Sequence, residues 1–244
     1  MRSDGGEDRL LLTGAESRTA ARGPCPPHRT MVDWPRLNRI PRHLGVIPDG
    51  NRRWAQSQGL GKHEGYEAGV APGLQLLEVC RGLGISELSV YGFTRENARR
   101  PTEQVKAFAG ACVDFASRAT ALGGALQVVG DMRSKVFPDD LKRFAVRTEG
   151  DIRINLLANY SWQWDLRNRP AQPRASGEPI ASSDVSRVDL IVRWGGRQRL
   201  SGFLPIQSAH ADFYVIDTLW PAMTLEEFFD ALEWYERQEV SLAG

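Results

Sequence analysis

Three polar clusters in the sequence carry side chains that could bind a phosphate group. The first is HLGVIPDGNRRWA at 43–55, in which an aspartate, a glycine, an asparagine and two arginines follow a short apolar run. The second is RENARRP at 95–101, and the third is RWGGRQRLSGF at 193–203. Guanidinium groups bind phosphate oxygens through paired hydrogen bonds, and glycines let backbone N–H groups approach the same ligand. The clusters therefore predict a phosphate or diphosphate site.

Two acidic residues near these clusters have the chemistry of metal ligands. Asp49 lies in the first cluster, and Asp212 follows the third. Mg²⁺ usually takes one or two carboxylates together with substrate phosphates and waters. Each cluster alone also fits a helix cap with solvated arginines, but three of them at successive strand ends favour a binding site. The sequence has no GxxxxGK[ST] loop, which argues against nucleotide hydrolysis of the usual kind.

Alternating apolar and amphipathic stretches predict the elements that would hold these clusters. Strands are expected at 44–47, 87–93, 126–131, 153–160, 188–194 and 212–217. Helices are expected at 65–84, at 102–124 with Thr102 as N-cap, at 138–148 and at 224–238. This order predicts an α/β fold, a single domain with a roughly six-stranded, mostly parallel sheet flanked by helices. Ligands of such sheets bind outside the carboxyl ends of the strands, where the polar clusters are expected.

Composition narrows the class of protein. The chain has 244 residues, 41% of them hydrophobic and 25% charged, and a formal net charge of +1, so no overall field would recruit nucleic acid. Three scattered cysteines without a CxxC pair favour the cytoplasm. No apolar run approaches the ~18 residues of a membrane span, so no integral membrane segment is expected.

Two segments are expected to lie outside the regular elements. Residues 1–30 are predicted to be a disordered tail or to precede a true start at Met31, which leaves 31–244 as the domain. Residues 166–187 contain three prolines and no apolar periodicity, so a long loop is expected there.

Several segments together resemble one known family. They are HLGVIPDGNRRWA, YGFTRENARRP, the Gly130–Asp131 pair, NLLANYSWQWDL and VDLIVRWGGRQRLSGFLPIQSAHADFYVIDTLWP. In order and spacing they resemble the motifs of cis-prenyltransferases, the undecaprenyl diphosphate synthase family, across most of the chain. The resemblance implies that an allylic diphosphate ionises and that isopentenyl diphosphate adds to the cation, giving a Z double bond. It also implies Mg²⁺ as cofactor, an apolar tunnel for the hydrocarbon and a homodimer.

The resemblance also implies roles for individual residues. Asp49 would manage Mg²⁺ and the allylic diphosphate, and Asn97 would assist proton removal. Asp212, in place of the usual glutamate, would be the second metal ligand, contributed by a partner subunit or by the far wall of the same site. The implied substrate-binding residues are Gly50, Asn51, Arg52, Arg53, Trp54, Lys62, Tyr66, Thr94, Arg95, Glu96, Ala98, Arg100, Arg193, Arg199, Leu200 and Ser201. Among them, Trp54 would line the apolar wall, and isopentenyl diphosphate would bind Arg193, Arg199 and Ser201.

Besides Asp212, four positions depart from the pattern of the family. Lys62 stands for the usual arginine, Tyr66 for histidine and Ala98 for tryptophan. Arg197 stands for glutamate, so an extra cation there could bind a different acceptor anion. The changed pocket walls leave the product length open, and a short or medium product chain is expected.

Two alternative functions stay open. One is a prenyltransferase of the same fold with a different acceptor or with lavandulyl-type branching coupling. Such relatives usually lose the asparagine of the first motif, whereas Asn51 is present. The other is a non-catalytic partner subunit. Such partners typically lose the aspartate of that motif, whereas Asp49 is present.

Overall fold

One parallel sheet organises the part of the chain that the structure, a computed structural model, describes, which is residues 36–168 and 180–239. The strands are β1 (His43–Ile47), β2 (Glu87–Tyr91), β3 (Gly124–Val129), β4 (Ile152–Leu157), β5 (Leu190–Trp194) and β6 (Asp212–Ile216). They lie in the order β3–β4–β2–β1–β5–β6, and every adjacent pair is parallel. The predicted six-stranded α/β sheet is confirmed.

Alternate residues of the strands are buried on opposite faces of the sheet. Leu44 and Leu88 belong to the main core, which also contains residues of the flanking helices. Ile47 and Tyr91 belong to a second core, in which they pack with Phe203. Successive side chains of a strand point to opposite faces, so burial of both faces explains why the strands read as nearly continuous apolar runs.

Three of the α-helices in the described residues, the third, fourth and sixth, contribute to the main core, whereas the fifth packs through Trp164 against the second core. In chain order, the α-helices of the described residues are α1 (Asn51–Ser57), α2 (Glu64–Ala68), α3 (Val70–Leu83), α4 (Thr102–Ala121), α5 (Trp162–Arg167) and α6 (Leu225–Glu236). The start of α6 is fixed by a capping box, in which Thr224 and Glu227 satisfy each other's backbone N–H groups. Neither α1 nor α5 was predicted, because both are too short to show a helical period.

Two predicted helices differ in detail from the observed ones. The stretch 65–84 is interrupted at Gly69, whose carbonyl accepts a hydrogen bond from Trp220 Nε1 at 2.7 Å. The N-cap of α4 is Pro101, and Thr102 is the first helical residue, without a side-chain cap bond.

The third difference concerns the stretch 138–148, which was predicted as an α-helix. It contains a 3₁₀ helix, Asp139–Phe144. Thr148 N donates to the Leu126 carbonyl of β3 at 3.0 Å, which draws the chain back to the sheet before an α-helix can form.

Some expectations fall outside the described residues, including the tail at 1–30 and part of the loop at 166–187. Residues 166 and 167 end α5, residues 180–187 contain no helix or strand, and 169–179 are not described. No helix within 36–168 and 180–239 is long and apolar enough to cross a membrane.

His43 lies buried in a polar network at the amino end of β1. Its Nδ1 is 3.1 Å from the carbonyl oxygens of Ser186 and Arg187, and its Nε2 is 2.8 Å from Ser89 Oγ. A carbonyl oxygen only accepts, so these partners assign the proton to Nδ1 and leave Nε2 to accept from Ser89. Burial lowers the pKa of His43 below 6.5, against the opposing effect of the Glu87 carboxylate.

We expect this histidine to make stability depend on pH. The unfolded chain protonates His43 near its ordinary pKa of 6.5, and the folded protein does so only at lower pH. The free energy of unfolding therefore falls as the pH drops from 6.5 through the folded pKa. Thermal unfolding measured at about pH 7.5 and about pH 5.5 checks this. In His43→Gln the unfolding temperature should no longer differ between the two pH values. In the control His210→Gln, which changes an exposed histidine, the difference should remain. An equally large fall in unfolding temperature in His43→Gln would show that His43 does not cause the pH dependence.

Candidate active site

A cavity of about 550 Å³ opens at the carboxyl edge of the sheet, where β1, β2 and β5 end. Seven cationic side chains of the described residues line it: Arg52, Arg53, Lys62, Arg100, Arg193, Arg197 and Arg199. Two carboxylates, Asp49 and Glu96, also line it. In a chain of formal net charge +1, this concentration of cations suits a ligand with several phosphate oxygens.

Asp49 lies among three of these arginines. Its Oδ2 is 2.8 Å from Arg193 Nη2 and 3.4 Å from Arg197 Nε, and its Oδ1 is 3.6 Å from Arg53 Nη2. The parallel neighbours β1 and β5 carry Asp49 and Arg193 to the same edge. We refer to these four side chains as the Asp49 cluster.

Arg193 is held in place by further hydrogen bonds at the end of β5. Its Nη1 donates to Ser201 Oγ at 2.8 Å and also to the Arg199 carbonyl. Its side chain is only 4% exposed. The turn that leads from β5 towards Ser201 begins at Gly195, which has φ +87° and accepts from Arg53 Nη2 at 2.8 Å. A Cβ at this position would lie 2.9 Å from the backbone carbonyl oxygen of Asp49, and the φ lies in the left-handed region, so the position requires glycine.

Tyr66 lies between the cationic cavity and a smaller apolar one. Arg100 Nη1 donates to Tyr66 Oη at 2.7 Å, and the Tyr66 ring stacks on Phe108 with centroids 4.5 Å apart. Burial raises the pKa of Tyr66, although Arg100 and Arg52 oppose the shift. The phenol therefore stays neutral near pH 7 and positions Arg100, a different role from that of a histidine, which titrates near neutral pH.

The apolar cavity measures about 60 Å³ and lies next to the larger one, between α3 and α4. The two cavities share Pro48, Asn51, Tyr66, Gly92 and Phe108 in their linings. The rings of Phe115 and Trp220 both approach Gly73, where a Cβ would lie 3.1 Å and 3.6 Å from them. These two buried rings and Gly73 form what we call the aromatic floor.

Most of the predicted site residues meet at the larger cavity. Those that line it are Asp49, Gly50, Asn51, Arg52, Arg53, Lys62, Tyr66, Thr94, Glu96, Asn97, Arg100, Arg193, Arg199 and Ser201. Five others line neither described cavity: Trp54, Arg95, Ala98, Leu200 and Asp212. Arg95 is exposed, whereas Ala98 packs against the main core and Leu200 against the second core.

The sequence argument missed several residues of the cavity. Gln56, Tyr91 and Phe108 line it. Phe108 lies on the apolar face of α4 with Phe115, and that periodicity predicts burial without revealing that a cavity adjoins the ring.

Asp212 lies at the opposite edge of the sheet from Asp49. It begins β6 in register with Leu190, the first residue of β5, and its Oδ2 is 3.8 Å from Arg39 Nη2. Burial raises the pKa of Asp212, against the opposing effect of Arg39. The expectation that Asp212 belongs to the far wall of the same site is therefore wrong, because a parallel strand begins and ends at opposite edges. Its contribution to the site of a partner subunit stays a prediction.

The residues of the cavity fit Mg²⁺ only together with a bound diphosphate. Among the described residues, no group of three or more histidine, cysteine, aspartate or glutamate side chains could hold a metal ion. Asp49 offers one partly exposed carboxylate to the cavity. One carboxylate, substrate phosphate oxygens and water form a usual Mg²⁺ environment.

The fold and the cavity define an α/β protein with a cationic cleft at the carboxyl edge of a parallel sheet. Comparison with known proteins identifies its family: the prenyltransferase family described as undecaprenyl diphosphate synthase matches residues 47–242. The chain belongs to this family of cis-prenyltransferases.

Individual relatives agree with the family match. The chain is 32% identical over 227 residues to an isoprenyl transferase of Nitrosomonas europaea, covering 84% of this chain and 86% of that protein. It is 33% identical over 218 residues to a (2E,6E)-farnesyl-diphosphate-specific ditrans,polycis-undecaprenyl-diphosphate synthase of Pseudomonas putida. That alignment covers 79% of this chain and 86% of that protein. The fold is similar to that of lavandulyl diphosphate synthase from Lavandula x intermedia, solved in complex with dimethylallyl diphosphate, with a TM-score of 0.69 and 21% sequence identity. The superposition covers 82% of this chain and 96% of that chain.

Proposed function

We propose that the protein condenses isopentenyl diphosphate with a short allylic diphosphate and releases a Z-configured prenyl diphosphate of short to medium length. The observation that carries this proposal is the junction of the two cavities. A cleft lined by seven cations adjoins a small apolar cavity, and the two share five lining residues. This pairing suits a ligand with a diphosphate head and a hydrocarbon tail.

In the proposed reaction, the C–O bond of the allylic diphosphate breaks and the electron pair leaves with the diphosphate. The resulting cation forms a carbon–carbon bond with C4, the terminal alkene carbon of isopentenyl diphosphate, which moves the positive charge to C3. A proton then leaves the C2 methylene group, and the electron pair of its C–H bond forms the new C2–C3 double bond. Arg52, Arg53 and Lys62 would bind the leaving diphosphate, because preorganised cations stabilise charge that develops in the transition state. Arg199 and Ser201 would bind isopentenyl diphosphate.

Asp49 would hold Mg²⁺, which supplies Lewis-acid stabilisation to the diphosphate when bound. Asn97 lines the same cavity. An amide is not a base at neutral pH, so Asn97 can orient a substrate but cannot accept the proton. We assign proton acceptance to an oxygen of the departing diphosphate.

The aromatic floor supports a short hydrocarbon. Phe115 and Trp220 are almost fully buried and line an apolar cavity of about 60 Å³. A growing chain would have to displace these rings, and interiors packed at native density yield to inserted groups only at a cost of about 1–3 kcal/mol. Elongation should therefore stop after few additions.

We expect Phe115→Leu to lengthen the product by at least one five-carbon unit, because a smaller side chain deepens the apolar cavity. Mass spectrometry of the products checks this. The matched control is Phe144→Leu, which changes a buried phenylalanine of the main core that lines neither described cavity. An unchanged product in Phe115→Leu, or equal lengthening in Phe144→Leu, would contradict a floor at Phe115.

The proposed function itself is tested by a product assay with the full chain. Isopentenyl diphosphate and Mg²⁺ are supplied with dimethylallyl, geranyl or farnesyl diphosphate in turn. A discrete linear prenyl diphosphate with a new Z double bond is expected. A branched product from dimethylallyl diphosphate would instead favour lavandulyl-type coupling. Diphosphate binding without any product would favour a non-catalytic partner subunit.

The proposal includes a homodimer and a cytoplasmic location. Light scattering of the purified protein tests the homodimer. In the homodimer, Asp212 of one subunit would serve as a metal ligand in the site of the other subunit. Asp212→Asn should then weaken metal binding in the dimer, and unchanged metal affinity would remove Asp212 from the site.

A further inference from the structure

Three cations compete for one carboxylate in the Asp49 cluster, and they differ in how firmly they are held. Arg193 is buried and has two other acceptors, Ser201 Oγ and the Arg199 carbonyl. Arg53 has a second acceptor, the Gly195 carbonyl. Arg197 has a 45% exposed side chain, and its contact within the described residues is the 3.4 Å approach of Nε to Asp49 Oδ2. Arg197 is therefore the arginine that can leave most easily.

The contact of Arg197 is made to the carboxylate that fits Mg²⁺. A metal ion that binds Asp49 Oδ2 in the free protein must displace Arg197 from this oxygen or share the oxygen with Arg197 and Arg193. The cavity also presents seven cationic side chains against two carboxylates, so a divalent cation entering alone meets net repulsion. A diphosphate changes both conditions, because it neutralises the cavity and offers Arg197 new acceptors.

We propose that Arg197 is a positioning residue that occupies Asp49 in the ligand-free protein and moves to the diphosphate when Mg²⁺ and diphosphate bind together. The site would then take up metal only with a phosphorylated ligand, and the free protein would bind Mg²⁺ weakly. This inference rests on the proposed function for its substrate, but its test needs only metal and inorganic diphosphate.

The experiment measures binding of Mn²⁺, a paramagnetic substitute for Mg²⁺, from the electron paramagnetic resonance signal of the free ion. Titrations are made with the full chain, with and without inorganic diphosphate. In Arg197→Gln we expect Mn²⁺ alone to bind about tenfold more tightly, and metal-free diphosphate to bind more weakly. The increase in Mn²⁺ affinity caused by diphosphate should shrink by a similar factor. Arg197→Lys, which keeps the charge, should restore most of the wild-type behaviour.

Arg52→Gln is the matched control, because it removes one positive charge from the same cavity. Arg52 Nη1 lies 3.4 Å from Gln104 Oε1 on α4. We expect Arg52→Gln to change the affinity for Mn²⁺ in the absence of diphosphate by less than about threefold. Unchanged Mn²⁺ affinity in Arg197→Gln would overturn the proposal. An equal gain in Arg52→Gln would also overturn it, because the effect would then reflect cavity charge and not the contact with Asp49.

The binding experiment and the product assay fail independently. If Mn²⁺ and diphosphate show the expected coupling but no prenyl diphosphate forms, the proposed function fails and the role of Arg197 stands. If product forms but Arg197→Gln binds Mn²⁺ no more tightly, the role of Arg197 fails and the proposed function stands.

Discussion

Replacing Asp49 with asparagine should lower turnover on the order of 10²–10³-fold while the protein still folds. The amide removes the charge that the diphosphate-bound metal requires. Its oxygen can still accept the hydrogen bond from Arg193 Nη2, which is 2.8 Å long in the wild type. The measurements are kcat for prenyl diphosphate formation and the thermal unfolding midpoint, which should move by only a few degrees.

The choice of asparagine follows from the surroundings of Asp49. Asp49→Ala would leave buried Arg193 without its carboxylate and would mix a folding defect with a catalytic one. Asp114→Asn makes the same chemical change on the surface of α4, where Asp114 pairs with Arg118, and should leave turnover unaffected. A turnover of Asp49→Asn within about threefold of wild type would remove Asp49 from the reaction.

Arg193→Gln should reduce both activity and stability. Arg193 contacts Asp49, Ser201 and the Arg199 carbonyl in a place almost closed to water. Its loss leaves the Asp49 carboxylate partly desolvated and unmatched, and we expect the free energy of unfolding to fall by about 2–3 kcal/mol, less than for a fully buried pair because Asp49 is partly exposed. Turnover should fall at least about 100-fold. Chemical denaturation and steady-state kinetics measure the two effects.

A lysine at this position should not rescue activity, because one ammonium group cannot reproduce the two-sided hydrogen bonding of a guanidinium. Arg118→Gln is the control, since Arg118 lies on the surface of α4 and pairs only weakly with Asp114 at 3.3 Å. Wild-type stability in Arg193→Gln would show that the contacts of Arg193 contribute little to the fold. Wild-type turnover in Arg193→Lys would show that charge alone suffices.

Local patterns in the sequence were sufficient to predict the fold and the edge at which the site lies. Strands β1–β5 were predicted because they are almost fully buried, which makes each one a short apolar run that is visible without its neighbours. The edge strand β6 is only partly buried, but most of its residues are still apolar. The site edge followed from the rule that polar residues after parallel strands gather at one edge. Asp49, Asn97 and Ser201 all line the cavity, which lies at the edge that this rule indicated.

Only the tertiary structure decided which of the predicted residues meet. Asp49 and Arg193 are 144 residues apart in the chain, and their 2.8 Å contact depends on the pairing of β1 with β5. The same packing leaves Arg95 exposed outside the cavity and places Asp212 at the opposite edge. A sequence shows which side chains follow each strand, but convergence on one carboxylate depends on strand order, register and turn geometry. Those arise from contacts between residues that are distant in the chain.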